Sequence, residues 1–436
     1  MQVDIKAFYS KYQMQQKKIV NISKLVVAIC FAILVNTSSL KAYSLLTHEA
    51  IIDVSWKKSI EPLLLQKYPK ANADELITAH AYAYGGAIMP DIGYSPFGSM
   101  FYTDLAHNVR SGDYVLALLE EAENINEYAF ALGSLAHYTA DIYGHSVGTN
   151  LAVPLTYAKL RAKFGDVITY ADHHKSHSRV ELSYDVLQTA RGNYVTKAYH
   201  DFIGFKVSRS VIERAFLRTY GLNVEDVFKN LPLAISTYRW VVKSLMPNII
   251  RSAWASKKGE LRKADPGITA RRFSFKMKNK AYYEEFGNDL QKAGFIPTVI
   301  SIIIPVLPKI GPLAKLRFKS PTSATEKLFI QSFNTTLVHY ESHLIKLSSG
   351  PLSLPNSTLD TGKETQFGEY SITDNSYSDL LFKLDKLNFE NINSDIKDHI
   401  KTFYSSSEPG SLTVRDTKER ALITKALIAM NNVSPK

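Results

Sequence analysis

The stretch "LAHYTADIYGHS" at 135–146 sets His137, Asp141 and His145 at four-residue steps inside a segment of helical periodicity. Side chains four apart on a helix stand one above the other, so two imidazoles and a carboxylate share a single patch. A single His and Asp spaced like this are more often a satisfied core histidine and a solvated aspartate. Three groups in register count against that reading, and the rest of the chain has to decide.

From Thr47 to about Ile250 apolar residues recur at three and four spacings, as in "HEAIIDVSWKKSIEPLLLQKY" and "LAISTYRWVVKSLM", and strand alternation is scarce. The pattern predicts an all-α bundle with long functional loops and a C-terminal helical extension. Turn chemistry interrupts it at "YGGAIMPDIGYSPFG" (84–98) and "SVGTNLAVPL" (146–155), both rich in Gly and Pro. Residues 295–314 form an apolar run broken by Pro297, Pro305, Pro308 and Pro312, which reads as packed core rather than a membrane span. After about Ser348 the composition turns to Ser, Asn, Asp and Gly, a long loop leading to a final pair of helices.

The amino terminus has its own logic. Lys17, Lys18 and Lys24 precede the apolar run "LVVAICFAILV" (25–35), and a polar stretch ends at Ala42, which together describe a secretory signal peptide. Met14 offers a start of more usual length, so residues 1–13 are open to reading as a mis-called start. The only cysteine, Cys30, lies in the segment to be removed, which leaves the mature chain no disulfide or thiolate chemistry. Of the formal +11 charge, residues 1–42 carry six Lys against one Asp, and residues 251–319 hold fifteen Lys and Arg against five Asp and Glu. That basic segment reads first as a solvated face, and second as a surface for nucleic acid or an anionic membrane.

Eight of the twelve histidines fall between His48 and His177, accompanied by carboxylates. "THEA" supplies His48, "MPDIG" Asp91 in a Pro-Asp turn, and "DLAHNVRSGD" His107. "HHKSHSRVELSYD" supplies His177 and Glu181, again four apart. Imidazole and carboxylate without thiolate suit zinc in a hydrolytic site, where three protein ligands leave a position for water of pKa about 7. A carboxylate between two imidazoles can bridge two ions, which gives the middle position of the opening stripe a reason. His80 reads as structural. His173 and His174 compete with His177, but only His177 has a carboxylate one turn on; His200, His339, His343 and His399 lack such company.

The order of these residues resembles the zinc-dependent phospholipase C family, whose three-zinc site is shared with certain fungal single-strand nucleases. The spacing in "HYTADIYGHS" is similar to that of glycosylphosphatidylinositol-specific phospholipase D and of large bacterial homologues, as are "YAYGGAIMPDIGY", "TDLAHNVRSGD" and, more loosely, "LDTGKETQFGEY". The resemblance implies one zinc held by Asp91, His107, His137 and Asp141, and a second by His145, His177 and Glu181. It implies a third held by His48, Asp141 and the free amino group and carbonyl of the first mature residue, which cleavage after Ala42 makes Tyr43. Asp91 would double as general base.

On this reading the chain is an exported bacterial phosphodiesterase, secreted or periplasmic. It is most simply a phospholipase C that cleaves glycerophospholipids to diacylglycerol and a phosphorylated head group, with phospholipid or a membrane surface as its partner. A nuclease, a phospholipase D-type hydrolase and a non-catalytic zinc-binding surface protein are the rivals; nucleic acid ranks behind lipid, and no obligate protein partner is evident. The expected domain division is a signal peptide at 1–42, a catalytic domain at 43–250 and a basic, partly helical extension at 251–436.

Overall fold

The computed structural model describes residues 45–191, 194, 205–242, 259, 318–405 and 417–435. The signal peptide, Tyr43, His200, the proline-broken run 295–314 and nearly all of the basic segment lie outside the described residues. What is described is helical, and among these residues the only β pairing is one bridge between Ser357 and Glu364. The all-α expectation holds.

One helix organises the rest. Helix α6 (Ile125–Tyr143) starts where Asn124 Oδ1 accepts from the backbone N–H groups of Asn126 and Glu127, both at 3.1 Å. The cap satisfies donors that the first turn leaves unpaired. From Glu127 to Asp141 every residue is buried. A helix buried all round is the centre of a bundle, and its polar groups must find partners inside the protein.

Around α6 lie α1 (Leu45–Ser55), α3 (Ala73–Ile88), α5 (Ser111–Glu120) and the long α13 (Ser323–Ser349). Helix α3 is launched by a capping box in which Asn72 and Glu75 each accept the other's backbone N–H. It approaches α6 closely because glycine stands at the crossing on both sides. A Cβ on Gly86 would fall on the Phe130 carbonyl, and one on Gly133 on the Ala83 carbonyl. Between α1 and α3, the short α2 (Glu61–Lys67) follows a π-helical turn. Helix α13 runs along α6 and is tied to it by the Tyr340 hydroxyl, which donates to the Leu132 carbonyl at 2.9 Å.

Two segments with Gly-rich turn chemistry are helical instead. "YGGAI" completes α3, and "MPDIGY" is a 3-10 turn, Met89–Tyr94. "GHSVGT" is a π-helical turn, Gly144–Thr149, running into α7 (Asn150–Thr156). The glycines there serve close packing rather than chain reversal: a Cβ on Gly148 would meet the Ser332 side chain of α13 at 2.8 Å. Helix α4 (Met100–Asn108), α8 (Ala158–Phe164) and α9 (Tyr170–Arg191) follow, α9 broken by non-helical backbone at His173. Next come α10 (Arg209–Tyr220), α11 (Val224–Val227) and α12 (Leu231–Trp240).

After α13 a loop of about twenty residues crosses back over the bundle. It leads to three described helices rather than a pair: α14 (Ser371–Lys386), α15 (Ser394–Ser405) and α16 (Thr417–Asn431). The loop is pinned to the end of α4, with Leu359 N donating to the His107 carbonyl at 3.0 Å and Thr358 Oγ1 to Asn108 Oδ1 at 2.9 Å. A turn then closes from the Thr358 carbonyl to Gly362 N, and Gly362 takes the left-handed backbone (φ +71°) that a side chain would strain.

Candidate metal centre

His137 of α6 stacks on His48 of α1, with ring centroids 4.3 Å apart, and meets His107 of α4 edge-on at 5.1 Å. Asp141 lies one turn further along. Each four-residue step on an α-helix overshoots a full turn by about 40°. The wider π turn after Tyr143 takes up part of that drift, and His145 Nε2 comes within 3.8 Å of Asp141 Oδ1.

Hydrogen bonds fix where each imidazole carries its proton. His107 Nδ1 lies 2.8 Å from the Thr103 carbonyl, and His137 Nδ1 lies 2.8 Å from the Ala87 carbonyl. A carbonyl only accepts, so both Nδ1 atoms donate and both Nε2 atoms of the neutral rings present lone pairs. Those two Nε2 atoms stand 3.1 Å apart. Asp141 Oδ2 is 3.2 Å from one and 3.3 Å from the other, and Asp91 Oδ1 is 3.4 Å from His107 Nε2. Four electron-rich atoms facing one point repel unless a cation lies among them.

A second group repeats the arrangement. Asn150 Nδ2 donates to the Asp360 carbonyl at 2.7 Å, which turns Asn150 Oδ1 toward His177 Nε2 at 2.8 Å. His177 Nε2 is therefore the donor and Nδ1 the lone pair, and Nδ1 lies 3.0 Å from Glu181 Oε1. His145 Nε2 lies 3.3 Å from the same oxygen. The third place is half in view: His48 Nε2 stands 3.3 Å from Asp141 Oδ1, the oxygen that does not face His107 and His137. Asp141 thus divides its two oxygens between two groups.

The spacing suits a small, closely bound cation. A tetrahedral centre with bonds near 2.1 Å has ligand atoms about 3.4 Å apart. The nearest imidazole and carboxylate atoms here are 3.0–3.4 Å apart in the first two groups. Asp91, Asp141, His177 and Glu181 are buried, with these oxygens and His177 Nδ1 lacking full hydrogen-bond geometry. Three sets, one of His48, His137 and Asp141, one of Asp91, His107 and His137, and one of His145, His177 and Asp360, each keep their donor atoms within 4.8 Å. The residues present fit zinc.

Residues 47–230 match the family model of zinc dependent phospholipase C. All eight described histidines and carboxylates named from the sequence fall in that segment. Residues 47–230 are a zinc-dependent phospholipase C domain. A domain of this family indicates a hydrolytic enzyme. No curated protein and no solved structure matches the chain.

The charge balance of the phospholipase C site follows from burial and proximity. Burial alone would lower the His107 imidazole, yet the Asp141 and Asp91 carboxylates hold it up, to about 10. Burial would raise Glu181, but His177 and His145 bring it down to about 2. Asp141 is likewise driven well below the carboxylate range, against burial, by His137 and His145. Glu181 and Asp141 are thus held as the ionised carboxylates that a cation needs, and a cation would take the place of the proton that the same carboxylates otherwise hold on His107. Beside them a cavity of about 40 Å³ opens between Tyr94, Asp104, Tyr170 and Ile372, room for one or two water-sized groups.

The remaining described histidines stay out of the site. His80 stacks on Trp56 at 3.9 Å and lies 3.3 Å from Asp53 Oδ1, which agrees with its structural reading. His173 Nδ1 accepts from Ser176 N at the break in α9, and His174 is exposed. His339 stacks on Tyr143, and His399 pairs with the Tyr377 hydroxyl at 2.7 Å. One residue of the centre was missed: Asp360, whose Oδ1 lies 3.3 Å from both His145 Nδ1 and His177 Nε2. Its only sequence signal was the loose similarity of "LDTGKETQFGEY", which carries no helical partner for it.

Proposed function

We propose that the protein is an exported bacterial phospholipase C that binds three zinc ions and cleaves glycerophospholipids to diacylglycerol and a phosphorylated head group. The supporting observation is the facing of the His107 and His137 lone pairs, 3.1 Å apart, with Asp141 and Asp91 closing the same space. In this assignment Asp91, His107, His137 and Asp141 hold one ion, and His145, His177 and Glu181 a second. His48, Asp141 and the Tyr43 amino group and carbonyl hold the third. Zinc bound there supplies Lewis acidity toward the phosphodiester oxygens and the attacking water.

The chain's own residues do the rest. Asp91 has two oxygens and one cation neighbour, so one oxygen remains to take the proton of the attacking water as general base. The Thr103 and Ala87 carbonyls keep His107 and His137 in the tautomer that binds, and so keep the phosphodiester's neighbours fixed. Export follows from the basic, apolar and small-residue order of residues 1–42, with cleavage near Ala42 and a secreted or periplasmic product. The catalytic domain is assigned to 43–250, and 251–436 to an extension packed on it.

Substrate choice is tested with detergent-dispersed phosphatidylcholine and single-stranded DNA side by side. We expect water-soluble phosphate ester from the lipid, stopped by chelator, and no comparable digestion of DNA. Robust DNA digestion without lipid turnover would replace the phospholipase with a nuclease.

A further inference from the structure

We propose that Asp360, which lies outside the family-matched segment, positions both histidines of the second metal group. The inference rests on the assignment of His145, His177 and Glu181 to a zinc ion. The two imidazoles lie between two carboxylates. Glu181 Oε1 faces His145 Nε2 at 3.3 Å and His177 Nδ1 at 3.0 Å. Asp360 Oδ1 faces the opposite nitrogens, His145 Nδ1 and His177 Nε2, each at 3.3 Å.

Which carboxylate is inner and which outer follows from the protons. His177 Nε2 must carry its hydrogen, because Asn150 Oδ1 accepts from it at 2.8 Å. The lone pair is then on Nδ1, toward Glu181. One Asp360 oxygen, 3.3 Å from both nitrogens, is shared by two N–H groups and meets neither in full hydrogen-bond geometry. Its action on His145 is to hold the proton on Nδ1 and so turn Nε2, the lone pair, toward Glu181. A carboxylate behind a ligating imidazole fixes the tautomer and the ring plane and makes the nitrogen a better ligand.

Asp360 is built for this service. Its Oδ2 accepts from the Tyr370 hydroxyl at 2.7 Å and from Tyr170 N at 3.0 Å, and its main-chain carbonyl accepts from Asn150 Nδ2 at 2.7 Å. Three anchors leave Oδ1 pointing at the imidazoles. The same Asn150 side chain that the Asp360 carbonyl orients is the one that sets the His177 proton. Asp360 therefore acts on His177 twice, through its carboxylate and through its main chain. The pinned turn from Thr358 to Gly362 delivers it there, so the loop after α13 is part of the enzyme's centre.

The isosteric variant Asp360→Asn puts an amide NH₂ either toward the imidazole N–H groups or toward Tyr170 N, and each choice sets donor against donor. The purified chain, stripped of metal, is titrated with Zn²⁺ against a chromogenic chelator. For Asp360→Asn we expect one zinc to bind about 10–100-fold more weakly while the others are unchanged, and Asp360→Glu to recover most of the loss. With Co²⁺ in place of zinc, the visible absorption of that one ion should shift. Thermal unfolding in chelator monitors folding. If Asp360→Asn does not fold, Tyr370→Phe, which keeps the carboxylate but frees its Oδ2, should weaken the same zinc severalfold. Unchanged zinc affinity in the folded variants overturns the inference alone. Complete loss of one ion in Asp360→Asn, not recovered by Asp360→Glu, also overturns it, and makes Asp360 a ligand. A wild-type protein that takes up no zinc overturns the metal assignment and the inference together.

Discussion

Asp141→Asn should cost the enzyme two zinc ions and lower turnover by about 10³-fold or more, on the order of 4 kcal/mol in barrier. Its two oxygens serve different partners: Oδ2 faces His107 and His137, and Oδ1 faces His48. An amide keeps the shape but replaces one oxygen with a donor, which would point its hydrogens at lone pairs or lose the bridge. The loss should also appear in stability, since ions that bind only the folded chain hold it folded. Asp166→Asn is the comparison, because Asp166 is exposed and, among the described residues, pairs with Arg161 away from the metal groups. Asp185 would be a poor one: it is fully buried and accepts from Leu46 N at 3.3 Å and Thr47 Oγ1 at 3.2 Å. Zinc content by mass spectrometry and initial rates on lipid decide the matter. Equal zinc and equal rates in Asp141→Asn and wild type would remove the shared-ligand assignment.

Extending the mature amino terminus by two residues ahead of Tyr43 should remove one zinc and most of the activity. His48, close to Asp141, lies only five residues past the proposed start. Between them Leu45 and Leu46 are buried, and Leu46 N is tied to Asp185, so the chain enters the bundle beside the metal groups. An α-amino nitrogen has a lone pair for a metal, whereas an amide nitrogen does not. The extended form should therefore bind two zincs where the form starting at Tyr43 binds three. Export and cleavage would then switch on a membrane-degrading enzyme outside the cytoplasm. Equal zinc content and equal rates in the two forms would discard the amino-terminal ligand and leave His48 with Asp141.

Much of this centre was legible because helices write their sites in fours. His137 and Asp141, and His177 and Glu181, announce themselves by spacing, and the structure brings both pairs into ion-pair distance. His48, Asp91 and His107 were legible only through their order along the chain, and each sits where a helix or a 3-10 turn faces α6. Asp360 was not legible in this way. It reaches the site from a loop, held by long-range hydrogen bonds to Tyr170 and Asn150 that no local pattern encodes. The glycines of "YGG" and "SVGTN" misled for a related reason. Local chemistry reads glycine as a turn, but here it lets helices touch, and that demand comes from a partner far along the chain. The π turn at His145 is a third such case, since spacing alone does not separate it from an α-helix.

Converging imidazole lone pairs and carboxylates in this bundle should hold zinc for phosphodiester hydrolysis. Elemental analysis of the purified protein, before and after chelation and after zinc is restored, tests this. Three zinc ions per chain are expected, with loss of lipid hydrolysis as they are removed and recovery on their return. A protein that hydrolyses phosphatidylcholine at full rate with no bound zinc would contradict this.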